Sequence, residues 1–201
     1  GDKVTIAILF IYFYLQWLFC HASDWLLSSS HFLITIDETT LVFQEARKSM
    51  IQEWRRGEYL ISTDKSLLDL SAIHSFLTTS YWAEGIPFET MKKSIEHSLN
   101  FGVYTVGRQV GFARVITDYA TFAYIGDVYI LEDFRGQGLS KWLMQVIADH
   151  PELQGLRRWT LLTRDAHELY RKTGFLEPQN PERFMEKANP DIYKSEASKP
   201  D

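Results

Sequence analysis

The residues with the most specific chemistry form a glycine-containing turn between an apolar strand pattern and an amphipathic helix pattern. This stretch reads YILEDFRGQGLSKW over residues 129–142. Gly136 and Gly138 allow backbone conformations with positive φ and a close approach of a ligand to the main chain. The first amides of the helix that follows lack acceptors within the helix, so the turn can bind an anion such as a diphosphate. Arg135 and Lys141 would add positive charge.

The turn differs from two well-known phosphate-binding loops. It lacks the third glycine of the dinucleotide-binding fingerprint, and it lacks the Gly-Lys-Ser/Thr sequence of a Walker A loop. A tight strand-to-helix connection that binds no ligand is therefore the alternative interpretation. The turn by itself leaves both interpretations open.

Hydrophobic periodicity predicts the elements that would position this turn. The predicted strands cover residues 59–62, 102–106, 110–116, 123–131, 159–163 and 184–187, and the predicted helices cover residues 67–79, 88–99, 139–148 and 166–173. The order is β-α-α-β-β-β-α-β-α-β. Antiparallel strands followed by a βαβ crossover imply an α/β (α+β) fold with a mixed, mostly antiparallel sheet and helices on both faces.

Composition narrows the class of protein. The chain has 201 residues, of which 45% are hydrophobic and 23% charged, which fits a globular fold and excludes general disorder. Cys20 is the only cysteine, so neither an intrachain disulfide nor a zinc site built on thiolates is available. The formal net charge of -5 argues against nucleic acid as a partner, because such binding relies on clustered Lys and Arg.

The N-terminal part differs from the rest of the chain. Residues 4–20 read VTIAILFIYFYLQWLFC, which is apolar on all sides. Three interpretations stay open: a membrane anchor or signal-like segment, a helix buried against a partner, and an upstream extension with no role in function. Residues Glu38 to Arg56 are then predicted as a helix that ends at Gly57.

These patterns divide the chain into three parts. We expect a hydrophobic, helical N-terminal extension over residues 1–57, an α/β domain over residues 58–190, and a polar tail over residues 191–201. The turn described above lies in the second part, so the chemistry is expected there.

Two motifs in this second part resemble those of the GNAT superfamily of acyl-CoA N-acetyltransferases. Residues 135–140 (RGQGLS) resemble motif A, (Q/R)-x-x-G-x-(G/A), with Ser140 in the last position. Residues 166–175 (AHELYRKTGF) resemble the A-x-x-L-Y-x-x-x-G-F signature, and a predicted strand separates the two motifs as it does in that family. The resemblance covers roughly residues 58–187 and implies a GNAT-like fold in which two neighbouring strands splay apart.

The resemblance implies acetyl-CoA, or another acyl-CoA, as the acyl donor, and no metal. The pantetheine arm would pair with the end of one strand, and the diphosphate would lie on the amides of the glycine turn. The implied cofactor-binding residues are Val128, Tyr129, Ile130, Leu131, Arg135, Gly136, Gln137, Gly138, Leu139, Ser140, Lys141 and Tyr170. An acyl-CoA donor also predicts a cytoplasmic location, with membrane contact through residues 4–20 left open.

The implied reaction is direct transfer of an acetyl group to a primary amine in a ternary complex. Tyr170 matches the family tyrosine that protonates the departing thiolate, and a tyrosine facing the core is the alternative. Asp127 is a candidate base, because burying a carboxylate in an apolar strand costs free energy unless the carboxylate has a partner. An ion pair with Arg114 is the alternative for Asp127, and Glu84 or a water relay could serve as the base instead.

The loop between the first two predicted helices carries Tyr81 and Trp82, which are candidates for binding the acceptor. In the resembled family this loop borders the acceptor site, so an aromatic wall is expected; rings that simply anchor the loop are the alternative. Two functions follow: an N-acetyltransferase acting on a small molecule or a protein, and a non-catalytic acyl-CoA sensor of the same fold. A homodimer is compatible with either.

Overall fold

A computed structural model describes residues 51–193 of the chain. The predictions made for residues 1–50, including the apolar segment at 4–20, lie outside the described residues. The same holds for residues 194–201, which form most of the expected polar tail.

Six strands form one mixed sheet in the order β1-β2-β3-β4-β5-β6. The strands are β1 (Glu53–Arg56), β2 (Tyr59–Ser62), β3 (Leu99–Thr105), β4 (Arg108–Thr117), β5 (Phe122–Ile130) and β6 (Arg158–Leu161). The helices are α1 (Leu70–Leu77), α2 (Phe88–Glu96), α3 (Leu139–Ala148) and α4 (His167–Arg171). Neighbouring strands are antiparallel except β5 and β6, which are parallel, and this confirms the predicted mixed sheet.

Local sequence signals explain where the helices begin and end. Helix α3 has the predicted bounds, because Gly138 adopts φ 74° just before it and apolar residues recur along its buried face. Helix α1 begins at Leu70 rather than Leu67, since the Asp69 carboxylate accepts a hydrogen bond from the Ala72 amide at 2.9 Å. Within residues 51–193, no helix combines the length and the apolar character that a membrane span requires.

The sheet has a hydrophobic core on each face. One core contains buried residues of α3 together with Ala123 and Ile125 of β5. The other contains buried residues of α1 and α2 together with Phe112 and Tyr129. Simple alternation along a strand would place Ala123, Ile125 and Tyr129 on one face, because even numbers of residues separate them. A register shift against β4 between Gly126 and Tyr129 moves Tyr129 to the opposite face, so β5 contributes to both cores.

Strand β5 contains a bulge. Its register against β4 pairs Phe112 with Tyr129 and Arg114 with Gly126, so β4 advances two residues where β5 advances three. Asp127 lies in this interval and has φ 56°, a left-handed conformation that is uncommon for residues other than glycine. A bulge of this kind bends the strand and leaves one residue outside the regular ladder.

Strands β5 and β6 separate beyond their first four pairs. Their parallel pairing runs from Phe122 with Arg158 to Ile125 with Leu161, whereas β5 continues to Ile130. The edge of β5 that faces away from β4 is therefore without a β6 partner from Gly126 onward. This is the splayed arrangement that the resemblance implied.

Two predicted elements are wrong. Residues Glu53–Arg56, expected at the end of a helix, form strand β1, because Gly57 at φ 60° turns the chain into a hairpin with β2. Residues 184–187, expected as a last strand, form no strand. The ring of Phe184 instead lies 5.6 Å from the Arg158 guanidinium, and Met185 is 98% exposed, so no alternating buried face forms there.

Candidate active site

The glycine turn connects β5 to α3 through a short 3-10 turn at Glu132–Phe134. Gly136 and Gly138 have φ 78° and 74°, values that other residues adopt only with strain. A Cβ atom at either position would meet nothing within 4 Å. The backbone conformation alone therefore requires these glycines, and the turn is open to solvent on that side.

We call residues 136–141 the amide loop, because their peptide N–H groups have no acceptor among residues 51–193. The first amide after them that is bonded is that of Trp142, which donates to the Gly138 carbonyl at 3.1 Å. Unpaired N–H groups at the start of a helix carry partial positive charge and favour an anion. The loop therefore presents the kind of donors that an anion requires, and the binding of a diphosphate there stays a prediction.

Contacts from two directions hold the amide loop. The Arg135 guanidinium Nε donates to the Ile130 carbonyl at 3.1 Å and so ties the loop to the end of β5. Arg56 and Tyr59, at the tip of the β1–β2 hairpin, both contact Gln137. Arg56 and Tyr59 were not among the predicted site residues, because no local pattern indicates that the hairpin lies beside a turn about eighty residues later.

The predicted pantetheine-binding segment of β5 faces both cores. Val128 and Ile130 pack in the core that contains α3, whereas Tyr129 stacks on Phe76 with ring centroids 3.8 Å apart on the opposite face. The Leu131 amide donates to the Val110 carbonyl of β4 at 2.8 Å. Because β4 occupies one edge of this segment and β6 has diverged from the other, the second edge can accept a strand-like ligand.

Tyr170 lies on α4 and is 9% exposed. Together with Tyr124 and Thr163 it lines a groove of about 1160 Å³, which contains none of the amide-loop residues. Burial, and then the neighbouring hydroxyls of Tyr81 and Tyr124, raise the pKa of Tyr170 to about 12. The phenol therefore keeps its proton at neutral pH, as a general acid must.

The Asp127 carboxylate is bonded on both oxygens. Arg114 Nε donates to Oδ2 at 2.7 Å, and Trp82 Nε1 donates to Oδ1 at 3.2 Å. The side chains of Arg114 and Asp127 are only 15% and 11% exposed, and Arg114 also donates to the Ser98 hydroxyl at 3.2 Å. The geometry thus contains the ion pair that was the alternative to a base, and the role of Asp127 as a base stays a prediction.

The loop between α1 and α2 contacts strand β5 and the segment that follows β6. Trp82 is bonded to Asp127 on β5, and the Tyr81 hydroxyl accepts a hydrogen bond from the Arg164 amide, just after β6, at 3.1 Å. The Arg164 guanidinium also lies 3.9 Å from the centroid of the Tyr81 ring. Tyr81 and Trp82 nevertheless remain 44% and 42% exposed, so their rings both anchor the loop and face solvent. Glu84 is exposed on the same loop.

A sequence model of the acetyltransferase (GNAT) family matches residues 49–175. The chain belongs to the GNAT acetyltransferase family. The match covers the amide loop, the α1–α2 loop and Tyr170, so the site described above lies within the GNAT domain. Among its described residues, no group of three or more His, Cys, Asp or Glu side chains is placed to hold a metal ion.

Solved and curated relatives support this assignment. A crystal structure of a candidate GNAT-family acetyltransferase from Xanthomonas campestris is 50% identical, with a TM-score of 0.67, and the match covers 69% of this chain and 99% of that one. A candidate acetyltransferase of Gibberella zeae is 38% identical over an alignment of 144 residues, and the match covers 60% of this chain and 80% of the relative. A crystal structure of a candidate acetyltransferase from Deinococcus radiodurans shares the fold, with a TM-score of 0.55 and 19% identity. The match covers 75% of this chain and 100% of that one.

Proposed function

We propose that this GNAT domain is an N-acetyltransferase that moves an acetyl group from acetyl-CoA to a primary amine of a small molecule or a protein. The amide loop is the observation that carries the proposal. Its unpaired N–H groups lie at the start of α3, directly after the strand that separates from β6. A diphosphate on these amides would direct the rest of a CoA molecule along the free edge of β5.

The proposed reaction is a direct transfer within a ternary complex. The amine nitrogen attacks the thioester carbonyl carbon, a C–N bond forms, and the C–S bond breaks. The departing thiolate takes the proton of the Tyr170 hydroxyl, and the amine gives up a proton to a base. The proton must leave the amine because an ammonium group, with a pKa of about 10, has no free electron pair for the attack.

Two carboxylates and a water relay remain candidates for the base. Asp127 lies at the bulge of β5, where the free edge of the strand begins. Each of its oxygens already accepts one hydrogen bond, but a carboxylate oxygen can accept two. Glu84 is exposed on the α1–α2 loop and carries no such bonds to Arg114 or Trp82. We propose the same loop, through Tyr81 and Trp82, as the border of the acceptor site.

The hydrogen bonds that the Asp127 carboxylate accepts from Arg114 and Trp82 also favour a second candidate function. If the carboxylate serves only the ion pair with Arg114, and Glu84 is too far from the thioester, the domain has no protein base. The protein would then bind acyl-CoA without turnover and act as a sensor. The two functions differ in one observable, which is the release of free CoA.

Calorimetry with acetyl-CoA, followed by a CoA-release assay with a panel of primary amines, tests the proposal. We expect binding, and we expect CoA release that depends on the amine. A Gly138→Val variant provides the control, because a β-branched residue at φ 74° costs about 1–2 kcal/mol of strain in this conformation and should weaken binding. Binding without release would favour the sensor, and absence of binding would refute both functions.

A cytoplasmic location and a homodimer are further parts of the proposal. The location rests on the acyl-CoA donor alone. Fractionation of cells that produce the full chain would test it, and it would also test whether residues 4–20 contact a membrane. Sedimentation of the purified protein would test the dimer.

A further inference from the structure

Gln137, the second residue of the amide loop, contacts the tip of the β1–β2 hairpin. The Tyr59 hydroxyl donates to the Gln137 side-chain oxygen Oε1 at 2.6 Å. The Arg56 guanidinium donates through Nη2 to the Gln137 main-chain carbonyl at 3.3 Å. The same guanidinium lies 4.7 Å from the centroid of the Trp142 ring, in the first turn of α3. Two residues of the hairpin therefore hold both the backbone and the side chain of Gln137.

The contact with the main-chain carbonyl has a consequence for the next amide. A trans peptide is planar, so the C=O of Gln137 and the N–H of Gly138 point in opposite directions. Because Arg56 draws this carbonyl toward the hairpin, the Gly138 N–H points away from it. That N–H is one of the unpaired donors of the amide loop. The hairpin contact therefore fixes the direction of a donor that it does not itself touch.

The loop needs such support because its own conformation is weakly determined. It contains two glycines with positive φ, and glycine loses more backbone freedom on ordering than any other residue. The six amides of residues 136–141 also lack hydrogen-bond acceptors among residues 51–193 that would order them. A loop held in its binding conformation before the ligand arrives avoids that ordering cost on binding.

We propose that Arg56 and Tyr59 are positioning residues, which hold the amide loop in the conformation that binds the diphosphate of CoA. The inference rests on the proposed function, since it assumes that the loop binds this diphosphate. It assigns the β1–β2 hairpin a role in donor binding, although the hairpin lies at the opposite edge of the sheet from β6. The structure supplies a matched control in Arg55, which neighbours Arg56 but pairs with Glu53 and is 71% exposed.

Calorimetry on the full chain with three probes tests the inference. The probes are CoA, 3′-dephospho-CoA, which keeps the diphosphate, and pantetheine, which has none. We expect Tyr59→Phe and Arg56→Gln each to lower the affinity for CoA about three- to tenfold, as expected for loss of one hydrogen bond. Each variant should lower the affinity for 3′-dephospho-CoA by the same factor. Pantetheine affinity should stay unchanged, and Arg55→Gln should bind all three probes like the original protein.

A second set of variants separates the two contacts on Gln137. Gln137→Ala removes the side-chain acceptor of Tyr59 but keeps the carbonyl that Arg56 contacts. In that background Tyr59→Phe should have no further effect on CoA affinity, whereas Arg56→Gln should still weaken it. Full additivity of Tyr59→Phe and Gln137→Ala would mean that Tyr59 acts elsewhere and would overturn its assignment.

Other results would overturn the inference in distinguishable ways. Loss of affinity for CoA but not for 3′-dephospho-CoA would show that Arg56 contacts the 3′-phosphate directly. An equal loss of affinity for pantetheine would show a general structural effect. Unchanged affinities would show that the hairpin does not support the loop. If the original protein bound no CoA at all, the proposed function would fail, and this inference with it.

Discussion

Removal of the Asp127 side chain tests whether the ion pair with Arg114 stabilises the domain. Asp127→Gly is the cleanest truncation, because glycine adopts φ 56° without strain. The variant removes the acceptor of two hydrogen bonds, one from Arg114 and one from Trp82. Among residues 51–193, Arg114 would keep only the Ser98 hydroxyl, at 3.2 Å, as a hydrogen-bond partner.

The expected magnitude follows from burial. The Arg114 side chain is 15% exposed, so its charge cannot be fully hydrated once the carboxylate is gone. Loss of one partner from a buried ion pair costs about 3–5 kcal/mol, and the remaining exposure and the Ser98 contact favour the lower end of this range. We therefore expect Asp127→Gly to lower the free energy of unfolding by about 3 kcal/mol. Asp127→Ala should cost about 1 kcal/mol more, because alanine is strained at this φ.

Urea unfolding followed by far-UV circular dichroism measures this change. In thermal unfolding, the same loss of about 3 kcal/mol should lower the melting temperature by about 6–12 °C in a chain of this length. Asp165→Gly is the control: Asp165 pairs with Arg164 at 3.5 Å, but both side chains are more than 60% exposed (62% and 66%). An exposed pair contributes about 0–1 kcal/mol, so this variant should unfold almost like the original protein.

Two results would refute this reasoning. An Asp127→Gly variant within about 0.5 kcal/mol of the original protein would show that Arg114 finds water or another partner. An Asp127→Ala variant at least as stable as Asp127→Gly would show that position 127 does not adopt a left-handed conformation. Neither result would depend on the identity of the acceptor amine, which makes the test independent of the proposed function.

Three further predictions concern other parts of the domain. Burial lowers the pKa of His150, opposed by the nearby Glu152, so the unfolded chain binds more protons below about pH 6.5 and stability should fall as the pH drops below that value. His150→Gln should flatten this fall in urea titrations at pH 7 and pH 5, and an unchanged slope would contradict the prediction. Gly111→Val should destabilise the domain by about 1–3 kcal/mol, since a Cβ there would lie 2.9 Å from the Tyr129 carbonyl oxygen of β5 and would also collide with the Ile130 side chain; a variant as stable as the original would show that the two strands can move apart. Tyr170→Phe should lower kcat about 10²–10⁴-fold while weakening acetyl-CoA binding by no more than the loss of one hydrogen bond, about three- to tenfold, and full activity would exclude its hydroxyl as the acid.

Much of the sheet could be predicted because its signals are local. Helix α3 shows a strong apolar period between a glycine and Pro151, and its predicted bounds are those of the structure. The antiparallel pair β3–β4 follows from two apolar runs on either side of Gly107. The two motifs that resemble the GNAT family are short and contiguous, and the family match over residues 49–175 confirms that resemblance.

Errors arose where one local signal fits two structures. Gly57 can end a helix or turn a hairpin, because both use a residue with positive φ; only pairing with β2 makes Glu53–Arg56 a strand. Residues 184–187 have a pattern typical of a strand but form none, and Phe184 contacts Arg158 of β6 through its ring. A strand is defined by its partner, and the partner is not visible in the segment itself.

The amino-acid sequence determined the chemistry of the turn, since glycines at positions 136 and 138 and a following helix suffice to expose a row of amides. The tertiary structure decided which residues contact those amides and the Asp127 carboxylate. Contacts such as Arg56 with Gln137, or Trp82 with Asp127, join residues 81 and 45 positions apart. Such pairs depend on how the helices cross the sheet, and that crossing is set by the packing of two cores rather than by any local pattern.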